Sequence, residues 1–389
     1  LALVAFWGIG ASAQTKDWTF LVFINGNNSL DSYGEVNLKQ METVGSTANI
    51  NVVVQWASSA ASGDAKRLLV QKSTDPSKVT SPVLQDLGKT DMGDYRTLVD
   101  FVKWAVANYP AKHYFLDLWN HGSGWHDARS AISPRPLDIS FDDLSGNSIT
   151  TAQTGVAMAQ IAQIIGHKID LLANDACLMA MVEIGKEVAN SVEVYAGSEE
   201  LEPSLGWPYD KILARWVSQP GATAADIARM VTEEYVNSFI ADGKDLDDAT
   251  YSAFDLSRID AVDTQIGRLA AQLRQVSGSE LAAVQKAASQ TQTFDDGDYL
   301  DVGDLVTNLA AQRLPSLSDE TLTSVRQAVS DLVIESRGTS KYTRATGATI
   351  WLPQVRSNYD QYISLYRQLQ FDLQTSWSSA LATLISSQP

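Results

Sequence analysis

Two scarce side chains stand in this sequence where nucleophilic chemistry can be done. The single cysteine, Cys177, lies in Asn174-Asp175-Ala176-Cys177-Leu178-Met179, and one of four histidines, His121, lies in Asn120-His121-Gly122-Ser123-Gly124-Trp125. The thiolate is the nucleophilic form of cysteine, and an imidazole, which titrates near neutral pH, can take its proton and return it. Gly122 carries no side chain, so its N–H can approach a substrate; with the N–H of Cys177 it is a candidate oxyanion hole. Asp175 precedes Cys177 by two residues, which in an extended segment puts both on one side. A carboxylate there can receive a Lys or Arg side chain of a substrate. Each residue also has a plainer reading. Cysteine is often a small buried hydrophobe, His121 can be a turn residue bonded to backbone, and Asp175 can cap a following helix.

Composition narrows the alternatives. The chain has 389 residues, 44% of them hydrophobic, and 29 Lys+Arg against 46 Asp+Glu, a formal charge of −17. That apolar content supports a packed core, and the acidic balance argues against a nucleic-acid partner, which needs a basic footprint. One cysteine makes no intramolecular disulfide and supplies no Cys-rich zinc site or iron–sulfur cluster. His121 and His126 form an H-x4-H pair that, with Cys177, could hold a metal, although loop spacing of this kind is a weak ligand signal. An acidic run, Asp295, Asp296, Asp298 and Asp301, lacks the EF-hand spacing and reads as a solvated or helix-capping cluster.

The elements that must position these residues follow from hydrophobic runs. Residues 18–24, 51–56, 67–71, 113–119, 169–173 and 192–196 are short apolar, strand-like runs, alternating with helical candidates at 34–44, 94–108, 151–165 and 178–189. Continuous apolar strands alternating with helices predict a mostly parallel sheet covered on both faces. Sites in such sheets form beyond the carboxyl ends of the strands, which is where His121 and Cys177 fall. A helix over 178–189 would put Cys177 at a helix N-terminus, where the dipole favours a thiolate. Between the two blocks, 127–147 is polar and irregular, with one short hairpin expected around 137–141 and 148–150. Helices are expected at 259–276, 280–292, 304–311, 320–336, 358–373 and 376–386, with a single late strand at 345–352.

The first residues add a compartment. The run LALVAFWGIG followed by Ala11-Ser12-Ala13 reads as the hydrophobic region and cleavage site of a secretory signal peptide. The domain expectation is therefore a signal-peptide remnant at 1–13, a catalytic domain at 14–242, and a mainly helical C-terminal region with one late strand at 243–389. That C-terminal region is expected to pack on the catalytic domain. The mature chain is expected to be exported, periplasmic or extracellular, with no transmembrane segment.

The two blocks resemble the catalytic blocks of the clostripain-like cysteine peptidases, in the caspase-like clan. The resemblance extends to residues 18–28, Phe141-Asp142-Asp143, 197–209 and 347–353. It implies a caspase-like α/β fold and protein or peptide substrates, with His121 and Cys177 as the catalytic dyad. It further implies that Asp175 is the acidic residue at the base of the P1 pocket, and hence cleavage after Arg or Lys. The order, with histidine about 50 residues before cysteine, agrees with the caspase clan. The caspase signature Q-A-C-[RQG]-G is replaced by Asp175-Ala176-Cys177-Leu178-Met179, which argues against cleavage after Asp. Members often mature by cutting themselves between the two blocks; Arg135 precedes Pro136 and is a poor site, which leaves Arg129. Some members use calcium, and that expectation rests on the resemblance alone; no other cofactor is implied. Two rival readings are a non-enzymatic exported binding protein that keeps the fold, and a metal-dependent hydrolase at His121/His126.

Overall fold

The computed structural model describes residues 15–75, 77–126 and 138–386. The signal-peptide segment, Arg129 and Arg135 lie outside the described residues. The central sheet holds nine strands: β1 (Lys16–Gly26), β2 (Ile50–Ser58), β3 (Asp64–Leu69), β4 (Val83–Lys89), β5 (Ala111–Trp119), β6 (Ile169–Asp175), β7 (Val192–Gly197), β8 (Thr250–Asp255) and β9 (Val333–Gly338). Their spatial order is β9-β8-β7-β6-β5-β1-β2-β3-β4. The five central strands, from β7 to β2, run parallel, and an antiparallel pair flanks them on each side.

Alternation explains why the central strands read as unbroken apolar runs. Successive side chains of a strand point to opposite faces. Phe20, Val22 and Ile24 of β1 enter one core with Phe115 and Leu171, while Leu21 and Phe23 enter the other with Leu116, Leu118 and Leu172. Both faces are covered. Helices α1 (Asp31–Glu42), α2 (Tyr95–Asn108), α3 (Thr151–Ile165), α4 (Val182–Val188), α5 (Tyr209–Val217) and α6 (Ala224–Ser238) divide between them. α1, α5 and α6 bury Leu38, Trp216 and Val231 on one side, and α2, α3 and α4 bury Phe101, Met158 and Ile184 on the other. Local signals set the helix ends: Asp94 caps α2, and a Thr150–Gln153 capping box opens α3, which Gly166 closes in the left-handed region (φ 91°).

The expected short hairpin forms from Ile139–Asp142 and Asn147–Ile149. Two sequence expectations require correction. Residues 243–389 supply β8 and β9 to the central sheet, and Tyr299–Asp301 pairs with Thr349–Trp351, so the region holds more than one late strand. The missed strand β9 begins at Val333, directly after the helix Asp319–Leu332, with no turn residue between them. Its edge position lets it carry Glu335 and Arg337, so its sequence shows no apolar run. The second correction concerns the cysteine. The helix after β6 begins at Val182 with Met181 as N-cap, so Cys177 lies ahead of it in a non-helical segment, and the dipole argument does not apply. Residues 178–181 are apolar because they are buried, and they mimic a helix start for that reason.

Candidate active site

Register brings the two chemical residues together. β5 and β6 are parallel neighbours in which Trp119 pairs with Asp175, so two residues further on each chain reaches His121 and Cys177. The Asn120 N–H donates to the Asp175 carbonyl at 3.2 Å and extends the pairing one step past the strand end. Both side chains then line one narrow cleft of about 70 Å³, with Trp119, Asp175, Glu202 and Gly206 among its walls. A Cβ on Gly122 would stand 2.4 Å from the Cys177 carbonyl oxygen and 3.1 Å from the Ala176 Cβ. Glycine is required there because the histidine loop and the cysteine loop touch backbone to backbone. Gly122 also bridges Ile139 of the hairpin, and across this bridge the Ser123 N–H donates to the Asp138 carbonyl at 3.0 Å.

Backbone hydrogen bonds hold the cysteine loop. The Leu178 N–H donates to the Glu200 carbonyl at 3.1 Å, the Ala180 N–H to the Ser198 carbonyl at 2.9 Å, and the Thr349 N–H to the Ala180 carbonyl at 2.9 Å. Leu178 adopts φ 64°, an uncommon conformation for a branched residue, immediately after the thiol. The Glu202 N–H donates to Cys177 Sγ at 3.2 Å, a bond that a thiolate accepts more strongly than a thiol. His121 is half-buried; its Nε2 bonds Ser29 Oγ at 2.9 Å, and Phe141 meets its ring edge-on.

Asp175 forms the floor. It is 5% exposed, and its Oδ2 accepts from the Trp207 N–H at 3.2 Å and the Tyr209 hydroxyl at 2.8 Å. The same hydroxyl lies 2.6 Å from Asp117 Oδ2, so one phenolic proton serves two buried carboxyls. Glu202 packs its carboxyl beside Asp175 and shares the cleft. Burial pushes the Asp175 carboxyl up to about 6, against the opposing pull of its Glu202, Tyr209 and Trp207 hydrogen bonds. Burial and the proximity of Asp175 also raise Asp117 and Glu202 well above the usual carboxylate range. Gly206, at φ 60°, passes so close that a Cβ would stand 2.8 Å from both Asp175 oxygens.

Sequence reasoning singled out His121, Gly122, Cys177 and Asp175, and these four sit at adjoining strand ends. It missed Ser29, Asp117, Glu202 and Tyr209. Asp117 alone carried a signal, a charged residue inside an apolar strand run, whereas Glu202 arrives from a distant loop and Tyr209 from the start of α5. The H-x4-H pair does not converge. His126 is buried away from the cleft, its ring stacked on Tyr362 at 4.1 Å and 10°, with neither side-chain nitrogen bonded among the described residues. Among the described residues, no group of three or more His, Cys, Asp or Glu is arranged to hold a metal ion. In the acidic run, Asp298 accepts from Gln354 N–H and Asn358 Nδ2, and Asp301 caps the helix Val302–Gln312. His113, itself exposed, pairs with the buried Asp170 at 2.6 Å.

Comparison with known proteins agrees with this architecture. Clostripain from Hathewaya histolytica is 24% identical over 340 residues, which cover 76% of this chain and 63% of that protein. The chain thus matches less than two thirds of its curated relative's length. An inactive zymogen C11 protease from Parabacteroides distasonis superposes with a TM-score of 0.71 at 18% identity, covering 94% of this chain and 99% of that one. A secreted C11 cysteine protease from Bacteroides thetaiotaomicron, in complex with an irreversible peptide inhibitor, gives 0.68 at 19% identity with the same coverage. These likenesses place the fold among the caspase-like C11 proteases. The profile of the clostripain family, the C11 peptidases, matches residues 22–383, and the chain belongs to that family.

Proposed function

We propose that this protein is an exported cysteine endopeptidase that cleaves after Arg or Lys, with Cys177 as nucleophile and His121 as its acid–base partner. One observation carries the reading: the paired ends of β5 and β6 deliver imidazole and thiol to a single cleft whose floor is a buried carboxyl, Asp175. A substrate's basic P1 side chain enters over Asp175 and Glu202. The incoming cation favours the ionised carboxylates, and the binding energy depends on that charge pairing in a site shielded from water. Cys177 Sγ attacks the scissile carbonyl carbon. The N–H groups of Gly122 and Cys177 hold the developing oxyanion, and His121 gives a proton to the leaving amine. Water, deprotonated by His121, then hydrolyses the thioester and restores the thiol. The family membership and the clostripain similarity support a peptidase, and the N-terminal hydrophobic run supports export. No helix among the described residues is long and apolar enough to cross a membrane.

The test is cleavage of an Arg–reporter peptide by purified mature protein, compared with Cys177→Ala and Asp175→Asn. Loss in the first variant and loss of preference for basic P1 residues in the second are the expected outcomes. Full activity in Cys177→Ala would overturn the mechanism, and an unchanged P1 profile in Asp175→Asn would move the pocket elsewhere. Iodoacetamide labelling of Cys177 at neutral pH, slowed by His121→Ala, separates an activated thiol from the inert one of a binding protein. Activity that survives a chelator would exclude a metal-dependent hydrolase at His121/His126.

A further inference from the structure

The end of β1 and the turn after it, Asn25-Gly26-Asn27-Asn28, carry buried asparagines that bond to one another and to the histidine loop. Asn120 Nδ2 donates to the Asn25 carbonyl at 2.7 Å, and Asn120 Oδ1 accepts from the Phe141 N–H at 2.7 Å. Asn25 Nδ2 donates to the Phe141 carbonyl at 3.0 Å, and Asn28 Nδ2 donates to the same carbonyl at 2.8 Å. Asn28 Oδ1 in turn accepts from the Leu30 N–H at 2.9 Å, which fixes the backbone on either side of Ser29. Three segments are therefore tied together: the β1 turn, the loop that starts at Asn120, and the hairpin strand at Phe141. On this scaffold Ser29 Oγ and His121 Nε2 are 2.9 Å apart.

We propose that Ser29 is a positioning residue for His121, accepting the Nε2 proton and so assigning Nδ1 to proton exchange with Cys177. The proposal rests on the dyad reading above. The chemistry needs such a partner. An imidazole has two nitrogens, and the tautomer it adopts follows from the bond made by the nitrogen that does not react. A hydroxyl that accepts from Nε2–H leaves Nδ1 able to take the thiol proton, and the imidazolium that forms keeps its bond to Ser29. The asparagine network supplies what an exposed serine lacks, a fixed place relative to the ring.

The experiment compares Ser29→Ala, Ser29→Thr, Cys177→Ala and the parent protein. The readouts are kcat/KM on the Arg–reporter peptide and the pH profile of Cys177 alkylation by iodoacetamide. Loss of the Nε2 acceptor weakens the imidazolium. Ser29→Ala is therefore expected to lower kcat/KM by roughly three- to tenfold, and to move the upper limb of the alkylation profile to lower pH. Ser29→Thr, which keeps the hydroxyl, is expected to restore both. A merely structural role would alter activity without moving that limb. If Cys177→Ala abolishes cleavage while Ser29→Ala keeps the parent rate and profile, the positioning role is overturned and the dyad stands. If Cys177→Ala retains cleavage, the dyad falls and this assignment falls with it.

Discussion

His126 offers a quantitative test of how this core is built. Its ring is 1% exposed, enclosed by Trp125, Tyr299, Trp351 and Tyr362, and burial pushes its pKa down to about 3. In the unfolded chain a histidine titrates near 6.5. The unfolded state therefore binds the proton first as pH falls, and stability is lost progressively from about pH 6.5 down to about pH 3. The slope is about 1.4 kcal/mol per pH unit, for a total on the order of 5 kcal/mol. His126→Phe keeps a flat ring against Tyr362 and removes two buried nitrogens that have no bonding partner among the described residues. Urea unfolding of both proteins, each carrying Cys177→Ala to prevent self-digestion, would be followed by tryptophan fluorescence between pH 7.5 and 4.5. The stability difference in favour of His126→Phe is expected to widen by about 2–3 kcal/mol over that range, nearly all of it below pH 6.5. Buried carboxyls such as Glu183, raised to about 7, and Asp301, raised to about 6, act in the opposite sense. Their contribution is full below the unfolded carboxyl pKa and is lost as pH rises through the folded value. Both proteins share them, so they cancel in the difference. Unfolding curves that stay parallel across the pH range would refute a neutral, dry His126.

Three further outcomes follow from the cleft. Because Asp175 ionises at about 6, kcat/KM for Arg substrates is expected to fall below that pH through a rise in KM, and this limb should be absent from a pH–rate profile of Asp175→Asn. Tyr209→Phe removes the hydroxyl bonded to both Asp117 and Asp175; the loss should cost about 1–3 kcal/mol in thermal or urea unfolding and shift the acid limb to higher pH, since that bond favours the charged form. Gly122→Ala places a methyl group 2.4 Å from the Cys177 carbonyl oxygen, so kcat should drop about a hundredfold or more while circular dichroism keeps the native signature.

The parallel centre of the sheet was legible because each strand buries both faces and shows it as an unbroken apolar run. His121 and Cys177 were legible because strand ends are where side chains leave a covered sheet. What escaped has physical reasons. β9 hides its strand character because an edge position tolerates Glu335 and Arg337, and its helix neighbour runs straight into it. The segment 178–181 resembles a helix because burial selects the same apolar residues in a loop. Glu202 and Tyr209 join the pocket through the path of a loop that no local pattern encodes. Ser29 escaped because it bonds the ring of a residue from another strand end, a relation set by register and absent from spacing.

The anchoring of the cysteine loop by Thr349 has a consequence in time. Ribosomes make a chain from its amino end, so His121 and Cys177 emerge long before Thr349, whose N–H bonds the Ala180 carbonyl, and before the β9 edge of the sheet. A half-emerged polypeptide holds the thiol and the imidazole without the last clasp on the loop that carries the thiol. The order of synthesis thus postpones the finished cleft until Thr349 has appeared.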